Sequence, residues 1–325
     1  FIGFHLAKLL LNEGFIIQGY DGMTDYYDVS LKQDRHKILL KNPNFTATEG
    51  MLEDNDKLSS LSIEFKPDII IHLAAQAGVR YSLENPRAFV NSNIIGTFNV
   101  MEVARKQKVK HLLMSSSSSV YGANSKVPFT EIEKADTQLT IYAATKKANE
   151  SMAHSYSHLW KIPTTMFRFF TVYGPWGRPD MAYFKFVSSI LNDKPIDIYN
   201  NGEMYRDFTF VEDLVRGIRL LIDVIPVLTN NNKISEIDNL SSVAPYRVVN
   251  IGNSETINLL DFIEAIEQTL GKKAIRNYMS MQKGDVSVTW ANASLLKHLT
   301  GYSPKTNFKD GIARFVKWYR EYYNI

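Results

Sequence analysis

Strand and helix patterns alternate along the first half of this chain, and that alternation leaves few folds open. Residues 15–21 read as a strand ending in an acid, Asp21, and residues 65–75 as a buried strand entered through a proline turn. Residues 93–106 read as a helix with apolar positions at Ile94, Ile95, Phe98, Met101 and Val103. A short strand over 109–114, a helix over 141–159 and a strand over 164–170 follow. Strands that alternate with helices predict an α/β fold with a parallel, doubly wound sheet of the Rossmann type.

The 325 residues suffice for about two domains. We expect a dinucleotide-binding domain over 1–175 and a smaller, mainly ligand-binding α/β domain over 176–325, because turns and aromatics become denser after Gly174-Pro175-Trp176-Gly177. Segments near 206–225 and 247–253 are expected to return to the first domain, and residues 230–242 read as a polar surface loop. Residues 1–11 read as the first helix of a dinucleotide-binding βαβ unit, with its strand and two glycines of its phosphate turn missing. The expectation is therefore a truncated record of a longer protein.

Net charge is only +3, which gives no reason to expect nucleic acid or a membrane surface as partner. There are no cysteines, which excludes thiol catalysis, disulfides and thiolate-bound zinc. No stretch approaches the roughly 20 apolar residues that span a bilayer. No metal is expected, and the cytoplasm is the expected location.

Phe1, Ile2 and Gly3 open that first helix, whose free N–H groups suit a pyrophosphate and whose glycine allows close packing. Asp21 closes the next strand, where a carboxylate holds ribose hydroxyls and repels a 2′-phosphate, so NAD is favoured over NADP. A turn aspartate in Asp21-Gly22 explains that residue equally well. Leu73, Ala74 and Ala75 are small enough to let backbone approach a flat cofactor, or to pack a helix tightly. Leu52, Ser115 and Phe169 complete the candidate cofactor wall. Asn93 either caps a helix or lies behind the sheet and orients the strand after it.

The candidate chemistry lies in Ser117, within a five-serine run, and in Tyr142 and Lys146. Tyr and Lys four apart share one helix face. An ammonium beside a phenol favours the phenolate, which can take a proton from a sugar hydroxyl. A Tyr-x-x-x-Lys pair is commonly just a solvated face, and a serine run commonly a linker. Here the serines follow a buried-strand pattern, and parallel sheets bind ligands at that end of their strands.

These stretches resemble the extended short-chain dehydrogenase/reductases, the nucleotide-sugar epimerases and dehydratases. The resemblance runs through His72–Ser82, the serine run to Gly122, Tyr142–Lys146, Arg168–Asp180, Arg206–Val211 and Gly284–Val286, and Arg168–Asp180 is similar to the uronate epimerases. It implies Tyr142 as base, Lys146 as its partner on the nicotinamide ribose, and Ser117 bonded to the sugar O4. Ser118 and Ser119 stand where the 4,6-dehydratases carry an Asp-Glu pair, which argues against dehydration. Thr171 and Arg178, with Ser118, would hold a uronate carboxylate against loss of carbon dioxide. Arg206 would clamp the diphosphate, Tyr199 would lie beside the uracil, Asp285 would hold the uridine ribose, and Arg80 would reach the substrate side. Met51 replaces an adenine-binding aspartate.

The activity so implied is reversible 4-epimerisation of UDP-glucuronate to UDP-galacturonate through a 4-keto sugar, with NAD regenerated each cycle. Alternatives are 4-epimerisation of neutral or N-acetylated UDP-hexoses, oxidative decarboxylation to a UDP-pentose, and a non-catalytic nucleotide-binding fragment. The resemblance also implies a homodimer through the helices at 93–106 and 141–159, and a place in acidic polysaccharide synthesis.

Overall fold

The strand Thr164–Phe169 sits at the centre of the molecule, with all six of its residues buried, the pattern of a strand covered on both faces. In this computed structural model, which describes residues 1–228 and 236–325, it pairs in parallel with Tyr246–Ile251 on one side and His111–Ser115 on the other. Ile69–His72 completes a four-stranded parallel sheet.

A second parallel pair, Ile17–Asp21 with Phe45–Glu49, stands apart. The expected parallel α/β architecture is present, but among the described residues the strands Ile17–Asp21 and Ile69–His72 belong to separate sheets rather than one. Neighbouring strands bond only at a spacing of about 4.8 Å, and no pairing joins Ile17–Asp21 to Ile69–His72. Residues of both strands line the same cleft.

Helices cover both faces of the larger sheet. Val211–Ile222 buries Val211, Leu214, Val215, Ile218 and Ile222 at helical spacing. With Leu6 and Leu10 of helix Ile2–Asn12 they form a cluster that includes Phe167 and Val249. On the opposite face Met101, Ala104 and Ala153 pack with Met166 and Val248. Adjacent strand residues thus enter opposite clusters, as the pleat requires. Residues after 170 build a third cluster rich in aromatics, where Tyr173, Tyr183, Phe262 and Phe315 are buried among the helices Ala182–Leu191, Leu259–Leu270 and Phe308–Tyr323. The rings of Phe208 and Phe262 stack there at 3.9 Å.

Some element ends differ from expectation. The strand ends at His72, so Leu73, Ala74 and Ala75 lie in the loop beyond it. The helix expected over 93–106 begins as a π-helix, Val90–Gly96, and becomes α-helical over Thr97–Gln107; π-turns frequently mark functional sites. Of the expected loop over 230–242, residues 230–235 lie outside the described residues. Beyond them Asp238 pairs with Arg247 at 2.8 Å. Among the described residues no helix is long and apolar enough to cross a membrane.

Candidate active site

The serine run leaves the C-terminal end of strand His111–Ser115 and turns through the 3-10 helix Ser118–Tyr121. The Ser119 N–H donates to Ser117 Oγ at 3.2 Å. Gly122 closes the turn at φ +54, where a Cβ would meet the Thr137 carbonyl oxygen at 2.0 Å. The facing helix Ile141–Trp160 is capped by Thr140, whose hydroxyl accepts from Ala143 N at 3.2 Å. Tyr142 and Lys146 therefore stand on its first two turns. Ser117, Tyr142 and Lys146 line one cleft, where the Ser117 hydroxyl donates to Ser119 Oγ at 3.2 Å and acts on the Tyr142 phenol.

The electrostatics differ from expectation. Burial pushes the Tyr142 phenol up, while the Ser117 hydrogen bond and the charge of Arg178 pull it down. Lys146 turns instead to Ser115, donating to its carbonyl at 2.8 Å and its hydroxyl at 3.2 Å. A buried ammonium must find acceptors, and the strand end supplies two. Burial also lowers Lys146 to about 8.

One cleft of about 1970 Å³ runs through the site. Drug-sized ligands occupy roughly 300–1,000 Å³, so there is room for two, although part of the volume lies between Ile17–Gly19 and Ile69–Ile71. Its cofactor side holds Phe1, Ile2 and Gly3, with Asp21, Leu52, Leu73, Ala74, Ala75, Ser115 and Phe169. Phe1 gives the first helix no side-chain cap, which leaves the leading N–H groups available to an anion. Asp21 is exposed, and one of its oxygens already accepts from Met23 N at 2.9 Å; the turn reading and the ribose reading coexist. A dinucleotide with free ribose hydroxyls fits this donor and acceptor set.

Two cofactor-side expectations change. A Cβ on Gly3 would meet only Leu73 Cδ1, at 4.0 Å, so tight packing does not require that glycine. Asn93 does not line the cleft and caps nothing. It is fully buried in the π-helix, accepting from Gln76 N at 2.8 Å and donating to Gln76 O and Thr145 Oγ1 at 3.0 Å. It ties the loop after Ala75 to the tyrosine helix, not to the serine strand, because the π-turn aims its side chain at that loop. Met51 is 41% exposed, and its carbonyl accepts from the Tyr20 hydroxyl at 3.1 Å.

Arg80, Ser118, Thr171, Arg178, Tyr199, Arg206 and Asp285 line the rest of the cleft. Arg80 lies over the Tyr199 ring at 4.3 Å and pairs with Asp285 at 3.2 Å. Arg206, on the two-residue strand Tyr205–Arg206, donates to the Val286 and Ser287 carbonyls. Thr171 opens the strand Thr171–Tyr173. Arg178 uses its Nε and Nη2 edge to grip Asp180, with Nε to Oδ1 at 3.0 Å, and Asp180 also accepts from the Tyr26 hydroxyl at 3.3 Å.

A buried polar framework supports the serine loop. Glu150 accepts from Ser116 Oγ at 2.7 Å and from Arg168 Nε and Nη2, each at 2.8 Å. Arg168 lies 4.7 Å from the Tyr121 ring centre, and Tyr121 donates to Asn250 Oδ1 at 2.7 Å. Sequence reasoning missed Glu150, Tyr26 and Asp180 as site residues. Glu150 left a signal: it continues the 142, 146, 150 series on one helix face, and Arg168 is the one charged residue in the buried strand over 164–169. Among the described residues no group of three or more His, Asp or Glu could hold a metal.

A family model described as GDP-mannose 4,6 dehydratase matches residues 1–315. A protein of Rhizobium meliloti named a probable UDP-glucuronate 4-epimerase is 53% identical over 326 residues, covering 99% of this chain and 95% of that protein. UDP-glucuronate 4-epimerase 1 of Arabidopsis thaliana is 42% identical, covering 99% of this chain and 75% of its own length. The crystal structure of the Bacillus cereus UDP-glucuronic acid 4-epimerase, in complex with UDP-glucuronic acid and NAD, superposes with a TM-score of 0.88 at 32% identity. The match covers 99% of this chain and 97% of that one.

Proposed function

The chain belongs to the GDP-mannose 4,6-dehydratase family of extended short-chain dehydrogenase/reductases, and from that we propose that it interconverts UDP-glucuronate and UDP-galacturonate with NAD as cofactor. One observation carries the choice of substrate. Arg178 is close enough to Tyr142 to act on its phenol. Among the described residues its Nη1 edge has no hydrogen-bond partner, while Asp180 occupies the other. A fixed guanidinium with one free edge beside the base suits a hexose whose C5 bears a carboxylate.

The residues act as follows. Ser117 holds the sugar O4 hydroxyl and Tyr142 accepts its proton, with Ser117 in the relay. Bound along the cofactor side, NAD supplies a reversible hydride acceptor for C4. Lys146 holds the strand end and keeps positive charge under that site. Arg178, helped by Thr171 and Ser118, binds the carboxylate. The 4-keto uronate is a β-keto acid, and charge-assisted hydrogen bonds to the carboxylate oppose its loss as neutral carbon dioxide. Arg206 holds the diphosphate, and Tyr199, Asp285 and Arg80 hold the uridine end. Serines at 118 and 119 provide no acid for dehydration. The division at residue 175 into cofactor and substrate domains, with 206–225 and 247–253 contributing to the first, belongs to the same proposal.

Arg178→Ala is expected to lower kcat/KM for UDP-glucuronate about 10²-fold, the worth of one lost charge-assisted contact of roughly 3 kcal/mol. Turnover of a neutral UDP-hexose should fall much less, by no more than the upward shift of the Tyr142 phenol accounts for. Product analysis on both substrates checks this. Equal loss on both would remove the carboxylate reading, and absence of UDP-galacturonate from the parent protein would remove the function.

A homodimer is part of this proposal. Ile95 and Phe98 on one helix, and Leu159 and Trp160 on the next, are each at least 45% exposed, an apolar surface of the kind that interfaces cover. Light scattering of the purified protein should give twice the chain mass; a monomer would overturn it. Action in the cytoplasm fits the cysteine-free chain, and cell fractionation tests that.

A further inference from the structure

Arg178 owes its place to a loop suspended from the cofactor side by its backbone carbonyls. Three successive carbonyls precede it, and each is taken by a side chain from far away in sequence. His5, on helix Ile2–Asn12, reaches the Pro175 carbonyl through Nε2 at 2.8 Å. A carbonyl only accepts, so Nε2 carries the hydrogen. Arg35, on helix Val29–Leu39, uses Nη2 for both the Trp176 and Gly177 carbonyls, and Nη1 for the Tyr27 hydroxyl. Arg35 is only 4% exposed and has no acidic partner among its hydrogen bonds. A buried cation spent on backbone carbonyls marks a place where the chain path matters.

The loop does not hold this path by local preference. Trp176 sits at φ +61, uncommon for a bulky residue. At Gly177 a Cβ would meet the Tyr183 hydroxyl at 1.9 Å. The Trp176 ring is wedged against Phe4 at 5.5 Å and Trp318 at 5.3 Å. The ring sets one side of the loop, and the carbonyl bonds set the other.

We propose that His5 and Arg35 are positioning residues for Arg178: by holding the Pro175, Trp176 and Gly177 carbonyls they set where its guanidinium meets the substrate carboxylate. The proposal rests on the reading of Arg178 as carboxylate partner. It makes uronate selectivity depend on two helices that otherwise serve the cofactor. Helix Ile2–Asn12 starts at the phosphate end of the cleft, and helix Val29–Leu39 follows the strand that ends in Asp21. Displacement of a binding group by about 1 Å can cost 10²-fold in rate. A loosened guanidinium should also fail to protect the 4-keto uronate. In that failure the C5–C6 bond breaks and its electron pair forms the enolate of the C4 ketone. C5 then takes a proton and carbon dioxide leaves.

The test compares the full-length, NAD-loaded enzyme with His5→Leu, His5→Gln, Arg35→Lys and Arg178→Ala. It reads the ratio of carbon dioxide to UDP-galacturonate formed from UDP-glucuronate, the KM, the NAD affinity and the Tm. Lysine lacks the planar fork that anchors on the Tyr27 hydroxyl through Nη1 while Nη2 holds the two carbonyls, so its ammonium is not fixed against them. His5→Leu and Arg35→Lys should each raise the carbon dioxide ratio and the KM about tenfold or more, with NAD affinity little changed. His5→Gln, which can still donate, should stay near the parent. A purely structural role would lower Tm without moving the product ratio. Unchanged ratios in both His5→Leu and Arg35→Lys, beside a raised ratio in Arg178→Ala, would overturn the proposal alone. The same holds if His5→Gln behaves like His5→Leu. An unchanged ratio in Arg178→Ala would overturn the carboxylate reading beneath it. If one variant fails to fold, the other decides.

Discussion

Tyr142→Phe is expected to lower kcat about 10³-fold or more, within the range that a positioned general base contributes, while NAD and UDP-sugar affinities change little. The substitution removes one oxygen from a ring whose edge still packs against Phe89 at 6.0 Å. It leaves Ser117, Lys146 and Arg178 in place. Single-turnover reduction of bound NAD reads the step directly. Retention of more than about a tenth of the rate would show that another group takes the O4 proton. The pH profile of the parent enzyme belongs to the same prediction. Burial raises the phenol, and Ser117 and Arg178 oppose that rise, so the active phenolate increases with pH on the rising limb. Lys146 at about 8 loses its charge as pH climbs through that value; with the phenol titrating higher, the two trends offset and activity levels off above about 8. Removing the Arg178 charge should move the rising limb to higher pH.

Arg168→Ala is expected to cost about 3–5 kcal/mol of stability, the usual result of leaving one partner of a buried ion pair uncompensated. Arg168 and Glu150 side chains are 3% and 4% exposed. For a protein of this size that is roughly 4–7 °C in Tm. Burial alone would raise the Glu150 carboxyl, but the Arg168 fork and the Ser116 hydroxyl outweigh it and hold the group below its ordinary value. A depressed carboxylate contributes its full stabilisation above the unfolded pKa and loses it as pH falls through the folded one. The parent should therefore weaken in acid more steeply than a Glu150→Met, Arg168→Met double variant, which should recover much of the single-variant loss. Thermal melts between about pH 3 and 7 check both statements. Because Ser116 hangs on Glu150, the single variant should also lose activity by loosening the serine loop. A loss below about 1 kcal/mol would show that the framework does not hold the site.

Much of the candidate site was legible because groups on regular elements announce themselves by spacing. Tyr142 and Lys146 are one turn apart, and the serines follow a strand, so their meeting follows from the α/β pattern. The acid closing the second strand was legible for the same reason. Less legible was anything set by how side chains choose partners after folding. Four-residue spacing put Lys146 beside Tyr142, yet the ammonium went to Ser115. Asn93 stood at the start of an expected helix, yet a π-turn aimed it at Gln76 and Thr145. Asp180 and Tyr26 are 154 residues apart, and no local pattern links them.

Sequence alone determined the parallel α/β class and where along it the serines, Tyr142, Lys146 and Asp21 fall, because periodicity and spacing along one chain are local properties. Tertiary structure alone decided that Arg178 lines the same cleft as Tyr142 with Asp180 on its Nε–Nη2 edge, that Glu150 and Arg168 brace the serine loop, and that His5 and Arg35 suspend the loop before Arg178. Those contacts join residues brought together only by folding, where buried charges and carbonyls must find partners and the partner is whichever group packing delivers.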